Sequence, residues 1–201
     1  MKINKASIIG IGIIWLVLVG LGMKMLLDYS CFPGISGNPP EKWITHSQMH
    51  LSPELPTLIL FVHPHCPCSR ASIGEFSKII TRCKDRLNAY VIFFKPELFP
   101  VKWVETDLWH TAKDIPGVKV ICDNGGVEIR LFRALTSGHT LLYNTNGDLV
   151  FSGGITRARG HFGDNLGRNT IISFINKGTI HTKKTPTFGC LLNNKGMRNR
   201  N

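Results

Sequence analysis

Cysteine and acid are both scarce in this chain. Its six cysteines, at positions 31, 66, 68, 83, 122 and 190, are too few for a disulfide scaffold in 201 residues, but enough for one redox or metal site plus structural thiols. Only 13 Asp and Glu stand against 24 Lys and Arg, leaving a net charge of +11. That excess is spread out. There is no arginine-rich helix and no zinc-finger spacing, so nucleic acid is not an expected partner. A basic bias beside an anionic membrane accounts for the charge. There is no internal repeat, no P-loop and no dinucleotide fingerprint. The apolar N-terminal run lacks a small-x-small cleavage site, and the residues ahead of Cys31 do not suit lipoprotein processing.

What the N-terminus has is length and apolarity. Residues 6–27 carry one charge, Lys24. The uninterrupted part, 6–23, spans about 27 Å as a helix, close to the hydrocarbon thickness. Lys24 can snorkel to the interface. Lys2 and Lys5 lie on the short leading side, so the positive-inside rule puts the N-terminus in the cytoplasm. The expected arrangement is an uncleaved single-pass anchor over 1–28 in contact with membrane lipid, with the soluble domain extracytoplasmic. For a bacterium, that means an inner-membrane protein facing the periplasm. Residues 29–54, rich in Pro, Gly, Ser and His, read as a linker with a short element at 42–50. Residues 55–192 form the domain, and 193–201 a basic polar tail.

The most informative segment is His63-Pro64-His65-Cys66-Pro67-Cys68-Ser69-Arg70. It follows an apolar run, 57–62, that reads as a buried strand, and precedes an amphipathic helix over 71–83. A helix N-terminus favours negative charge, so a cysteine there becomes a thiolate nucleophile or a soft-metal ligand. A second buried strand covers 89–94 and a second helix 102–112. Residues 118–121 and 127–133 are short strands about the turn Asp123-Asn124-Gly125-Gly126. A β-hairpin joins 140–143 to 149–154, and a helix closes the domain at 169–176. With the two short strands set aside, the order β-α-β-α-β-β-α predicts a thioredoxin-like three-layer α/β/α sandwich with a mixed sheet.

The stretches FVHPHCPCSRAS, TSGHTLLYNTNGDLVFSGGITRARGHFGDN and TPTFGCLL resemble the RedB-type thioredoxin-like proteins. These are anchored bacterial proteins related in fold to thioredoxins and peroxiredoxins. The resemblance covers residues 55–192 and implies a cysteine-centred site. The spacing departs from thioredoxin, being Cys-x-Cys rather than Cys-x-x-Cys. Thioredoxins also face their cysteines with a cis-proline. The matching position here is near His139, in Thr136-Ser137-Gly138-His139, with no proline.

Three functions follow. In the first, a thiol–disulfide oxidoreductase, Cys66 is the exposed nucleophile, assisted by Arg70 or His65. Cys68 is its near partner. Cys190 is the resolving cysteine, brought back by an extended run of about 12 residues to within about 10 Å of a site sulfur. Its partner is a protein thiol or disulfide, and no cofactor is needed. In the second, copper or zinc sits on Cys66 and Cys68 with His65 at hand and His139 or His161 completing the site. The third is an inert thioredoxin-like adaptor. The glycine-rich loop after the hairpin reads either as a capped structural turn or as a polar lid, in which Arg157, Arg159 and His161, with Gly138 opposite, face a substrate.

Overall fold

The structure, a computed structural model, describes residues 4–192. The expected tail at 193–201 lies outside the described residues. The chain divides into two compact units, Met1–Phe32 and Pro33–Asn201.

The first unit is one helix, α1 (Lys5–Cys31). Ile8–Cys31 has a mean hydropathy of 2.2 and is long and apolar enough to cross a membrane. Lys24 pairs with Asp28 one turn later at 2.8 Å.

The second unit is built on five strands: β1 (Thr57–Val62), β2 (Asn88–Lys95), β3 (Val118–Asn124), β4 (His139–Tyr143) and β5 (Leu149–Gly154). Their order across the sheet is β3-β2-β1-β4-β5. β1, β2 and β3 are parallel, while β4 runs antiparallel to both β1 and β5. β1 is central, and all six of its residues are buried, which is why it reads as a continuous apolar run. Its side chains alternate between two cores. Leu58, Leu60 and Val62 join Phe76 and Ile79 of α2 (Ser69–Arg82), Trp109 of α3 (Asp107–Lys113) and Ile171 of α5 (Leu166–Lys177). Ile59 and Phe61 join Phe132, Tyr143 and Met49 on the other face. This is the mixed-sheet, thioredoxin-like fold that the element order predicts.

Three local readings need correction. Residues 127–133 are not a strand. Val127–Leu131 forms a short helix, α4, because the Asp123 carboxylate accepts the backbone N–H groups of Glu128 and Ile129 at 3.0 Å each. The helix expected over 102–112 begins later. A 3₁₀ turn covers Val101–Trp103, and Thr106, extended and bonded through its hydroxyl to Pro64 O at 3.3 Å, separates it from α3. The stretch read as a linker packs on the domain from residue 34 onward. Trp43 meets Phe132 and Tyr143 edge-on at 5.4 and 5.3 Å, and Ser47 donates to Glu128 at 2.6 Å. This segment and α4 cover the second face of the sheet, which among the described residues has no long helix packed on it.

Candidate active site

β1 ends at Val62, and the chain turns twice before α2. Cys66 N donates to His63 O at 3.1 Å, and Ser69 N donates to Cys66 O at 3.0 Å. Cys68 is the N-cap of α2, so Cys66 stands just ahead of the positive helix end. Opposite lies the loop that precedes β4. Ser137 Oγ accepts from His63 N at 2.8 Å and lies 2.7 Å from Ser69 Oγ. Gly138 N donates to Phe61 O at 2.8 Å. Gly138 has φ +91°, and a side chain there would crowd Ser72 Oγ.

The C-terminal strap completes the site. Past α5 it runs beside β5, with Ser152 N on Lys183 O at 2.9 Å and Thr185 N on Ser152 O at 3.3 Å. It then crosses to the Ser137 loop, where Ser137 N donates to Cys190 O at 2.8 Å and Leu192 N to Leu135 O at 2.9 Å. Gly34 N, from the start of the domain, donates to Thr187 O at 2.8 Å. The crossing delivers Cys190 Sγ to 2.9 Å from Cys66 Sγ, both of them free thiols. A disulfide bond is about 2.05 Å, so a small shift joins them.

The electrostatics favour charge on one sulfur of the pair. With Cys66 as the thiolate, the Cys190 thiol is the donor across this contact and is the largest influence in its favour. Burial opposes the charge, and the backbone N–H groups of Cys190 and Cys68 with the Ser69 hydroxyl favour it, so Cys66 falls to about 5. The same contact holds Cys190 in its thiol form, and burial adds to the effect. Cys68 is raised, first by burial and then by the Cys66 charge, although Arg159 works the other way.

The expected residues do not all converge. Cys66 is not the exposed member of the pair. It is 1% exposed, because the strap covers it, and Cys190 is the half-buried one. Arg70 points to Asp107 and pairs with it, and does not activate Cys66. His65 places Nε2 2.9 Å from Trp103 O, and its backbone N–H donates to His63 Nδ1. His139 is buried with Nε2 2.8 Å from Ser152 Oγ, and burial pushes it down to about 4. It therefore faces β5 rather than supplying a ligand or proton carrier to the thiols. Among the described residues, no three His, Cys, Asp or Glu side chains are grouped to hold a metal ion. Arg157 is exposed in a groove lined also by Thr185, Pro186 and Phe188. His161 is exposed, and Arg159 reaches the strap, donating to Gly189 O at 2.6 Å. The sequence reading missed Ser69 and Ser137, which tie the two loops together. Their signal is position alone, one at the first turn of α2 and one in the loop before the hairpin.

Gly189 lies against the backbone of the Ser137 loop, and an added Cβ would overlap Ser137 O. Gly189→Ala is therefore expected to cost about 1–3 kcal/mol by overpacking and to push Cys190 away from Cys66. Denaturant melts, together with the yield of oxidised Cys66–Cys190 pair, check this. An unchanged yield would mean that the strap is not held by this close approach.

No protein-family profile and no curated protein sequence matches the chain. Solved structures do. An uncharacterized conserved protein from Geobacillus kaustophilus aligns at 14% identity and a TM-score of 0.57, over 81% of this chain and 92% of its own. A hypothetical protein from Sinorhizobium meliloti aligns at 16% identity and 0.56, over 81% and 94%. A secreted disulfide oxidoreductase of Mycobacterium tuberculosis, homologous to DsbE of E. coli, aligns at 12% and 0.44, over 62% and 82%. At these identities the likeness is one of fold. The order of the elements and the mixed five-stranded sheet are those of a thioredoxin-like fold.

Proposed function

We propose that this protein is a membrane-tethered, extracytoplasmic thiol–disulfide oxidoreductase of the RedB-like kind, with Cys66 as nucleophile and Cys190 as resolving cysteine. The observation that carries the reading is the 2.9 Å approach of Cys190 Sγ to Cys66 Sγ, across a hydrogen bond that favours a thiolate on Cys66. The thiolate attacks one sulfur of a partner disulfide, and the partner's other sulfur leaves as a thiolate. Cys190 then gives its proton to solvent and attacks Cys66 Sγ. The Cys66–Cys190 bond forms, and the partner departs with two electrons as a dithiol. The reverse sequence oxidises a partner dithiol. α1 supplies the tether, and the lysines ahead of it favour the domain lying outside the cytoplasm, where disulfides persist.

The test uses full-length protein in detergent with a peptide carrying a single disulfide. The reduced protein is expected to reduce the peptide and to gain a Cys66–Cys190 bond, seen by peptide mapping. Cys66→Ser is expected to abolish exchange. Peptide reduction that survives Cys66→Ser, or an oxidised product lacking Cys190, would refute the assignment.

A further inference from the structure

The loop between β5 and α5 is held rigidly. Glu75 of α2 is fully buried and receives Gly163 N at 3.0 Å, Asn165 Nδ2 at 3.4 Å and Arg168 Nη1 at 2.5 Å. Within the loop Ala158 is buried, and His161 N donates to Ala158 O at 3.3 Å. The loop is thus fastened to the helix that follows the Cys66 turn. From this frame Arg159 extends to the strap and donates to Gly189 O, the carbonyl directly ahead of Cys190.

We propose that Arg159 is the positioning residue of the resolving step: it fixes the peptide that carries Cys190 and supplies the positive charge against which that sulfur loses its proton. The proposal rests on the exchange reading above. In the resting site the Cys66 thiolate keeps Cys190 protonated. The charged and titratable groups acting on Cys190 are Cys66, Cys68 and Arg159. His139, the first residue of β4, turns its ring to Ser152. Once Cys66 is joined to a partner sulfur, its negative charge is gone. Arg159 stays, and its charge favours thiolates at both Cys190 and Cys68. Cys190 then releases its proton to solvent and attacks Cys66 Sγ, and the partner thiolate leaves. The charge that opposes resolution therefore disappears only when a substrate is engaged, so Cys66 itself separates the two steps in time and Arg159 acts on the second. Lysine keeps the charge but not the planar two-pronged donor, whereas glutamine keeps a donor without the charge.

The experiment uses full-length protein in a Cys31→Ser background, mixed with 5,5′-dithiobis(2-nitrobenzoate) and quenched with acid. Mass spectrometry then follows the Cys66 adduct and its conversion to the Cys66–Cys190 bond between pH 5 and 9. Relative to its own rate of adduct formation, Arg159→Gln is expected to resolve the adduct about tenfold more slowly than the parent at pH 7, with the resolution midpoint about one pH unit higher. Arg159→Lys is expected to restore the midpoint and only part of the rate. If Arg159→Gln resolves with the parent midpoint, the proposal is overturned. If both variants are slow at unchanged midpoint, Arg159 is only structural, which also overturns it. If the parent adduct persists and never gains the Cys190 bond, the exchange reading fails and takes this proposal with it.

Discussion

Cys190→Ser is expected to raise the alkylation midpoint of Cys66 from about 5 toward the ordinary thiol range. The sign follows from the contacts. The largest influence lowering Cys66 is the hydrogen bond from the Cys190 thiol. A serine hydroxyl is shorter and harder, and does not reach the thiolate in the same way. The backbone N–H groups and Ser69 remain, so the rise is partial. At pH 6, just above the parent midpoint, a rise of one unit lowers the thiolate fraction of Cys66 about twofold and a rise of two units about tenfold. Iodoacetamide labelling against pH, read at Cys66 by peptide mapping, gives the midpoint directly. It also separates the chemical effect from any gain in access, which changes the plateau instead. A midpoint that stays near 5 in Cys190→Ser would place the source of activation in the turn before α2 alone.

The second large effect is on stability. Glu75 is 0% exposed and Arg168 8% exposed, and they meet at 2.5 Å. Burial pushes the Glu75 carboxyl up. Lys78, the Gly163 N–H and Arg168 more than offset that, and hold it below the usual carboxylate range. Glu75→Ala leaves Arg168 buried with only the exposed Asp164 as a counter-charge. The expected cost is about 3–5 kcal/mol, the usual range when one partner of a buried pair is removed. For a domain of this size that lowers the melting temperature by roughly 6–20 °C. Replacing both members by leucine is expected to recover most of the loss, because no buried charge is then left uncompensated. Denaturant titration of the parent and the two variants decides the matter. A small cost for Glu75→Ala would mean that water reaches Arg168 as the loop relaxes.

The sheet was legible in the sequence where one signal dominated. Residues 58–62 and 89–94 form unbroken hydrophobic runs and fall on parallel inner strands, and Asn146-Gly147 marks the hairpin between β4 and β5. Residues 127–133 misled because Val-Glu-Ile-Arg-Leu-Phe alternates like a strand, yet also places Ile129 and Phe132 on one face of a short helix. The deciding contact, the Asp123 carboxylate on two N–H groups, is three-dimensional. The segment before β1 looked like a linker because Trp43, Met49 and Leu51 follow no period. Their order comes from the sheet they cover. At the site, the Cys66 turn was visible as chemistry before a helix. The burial of Cys66 was not, because the covering residues lie more than a hundred positions further along. Arg159 was visible only as one of several polar residues in a glycine-rich loop, and what distinguishes it is the carbonyl it meets.

Cys66 and Cys190 are 124 residues apart in the chain. Once bonded, they would close nearly the whole domain into a single covalent ring. In the chain-entropy picture, a ring of that size removes about 5 kcal/mol of disorder from the unfolded state. The oxidised domain would then be the harder form to unfold, and a reduced copy the easier one for proteases to open. Each turnover of the site would switch the molecule between a sealed ring and an open thread, so that its lifetime records its redox history.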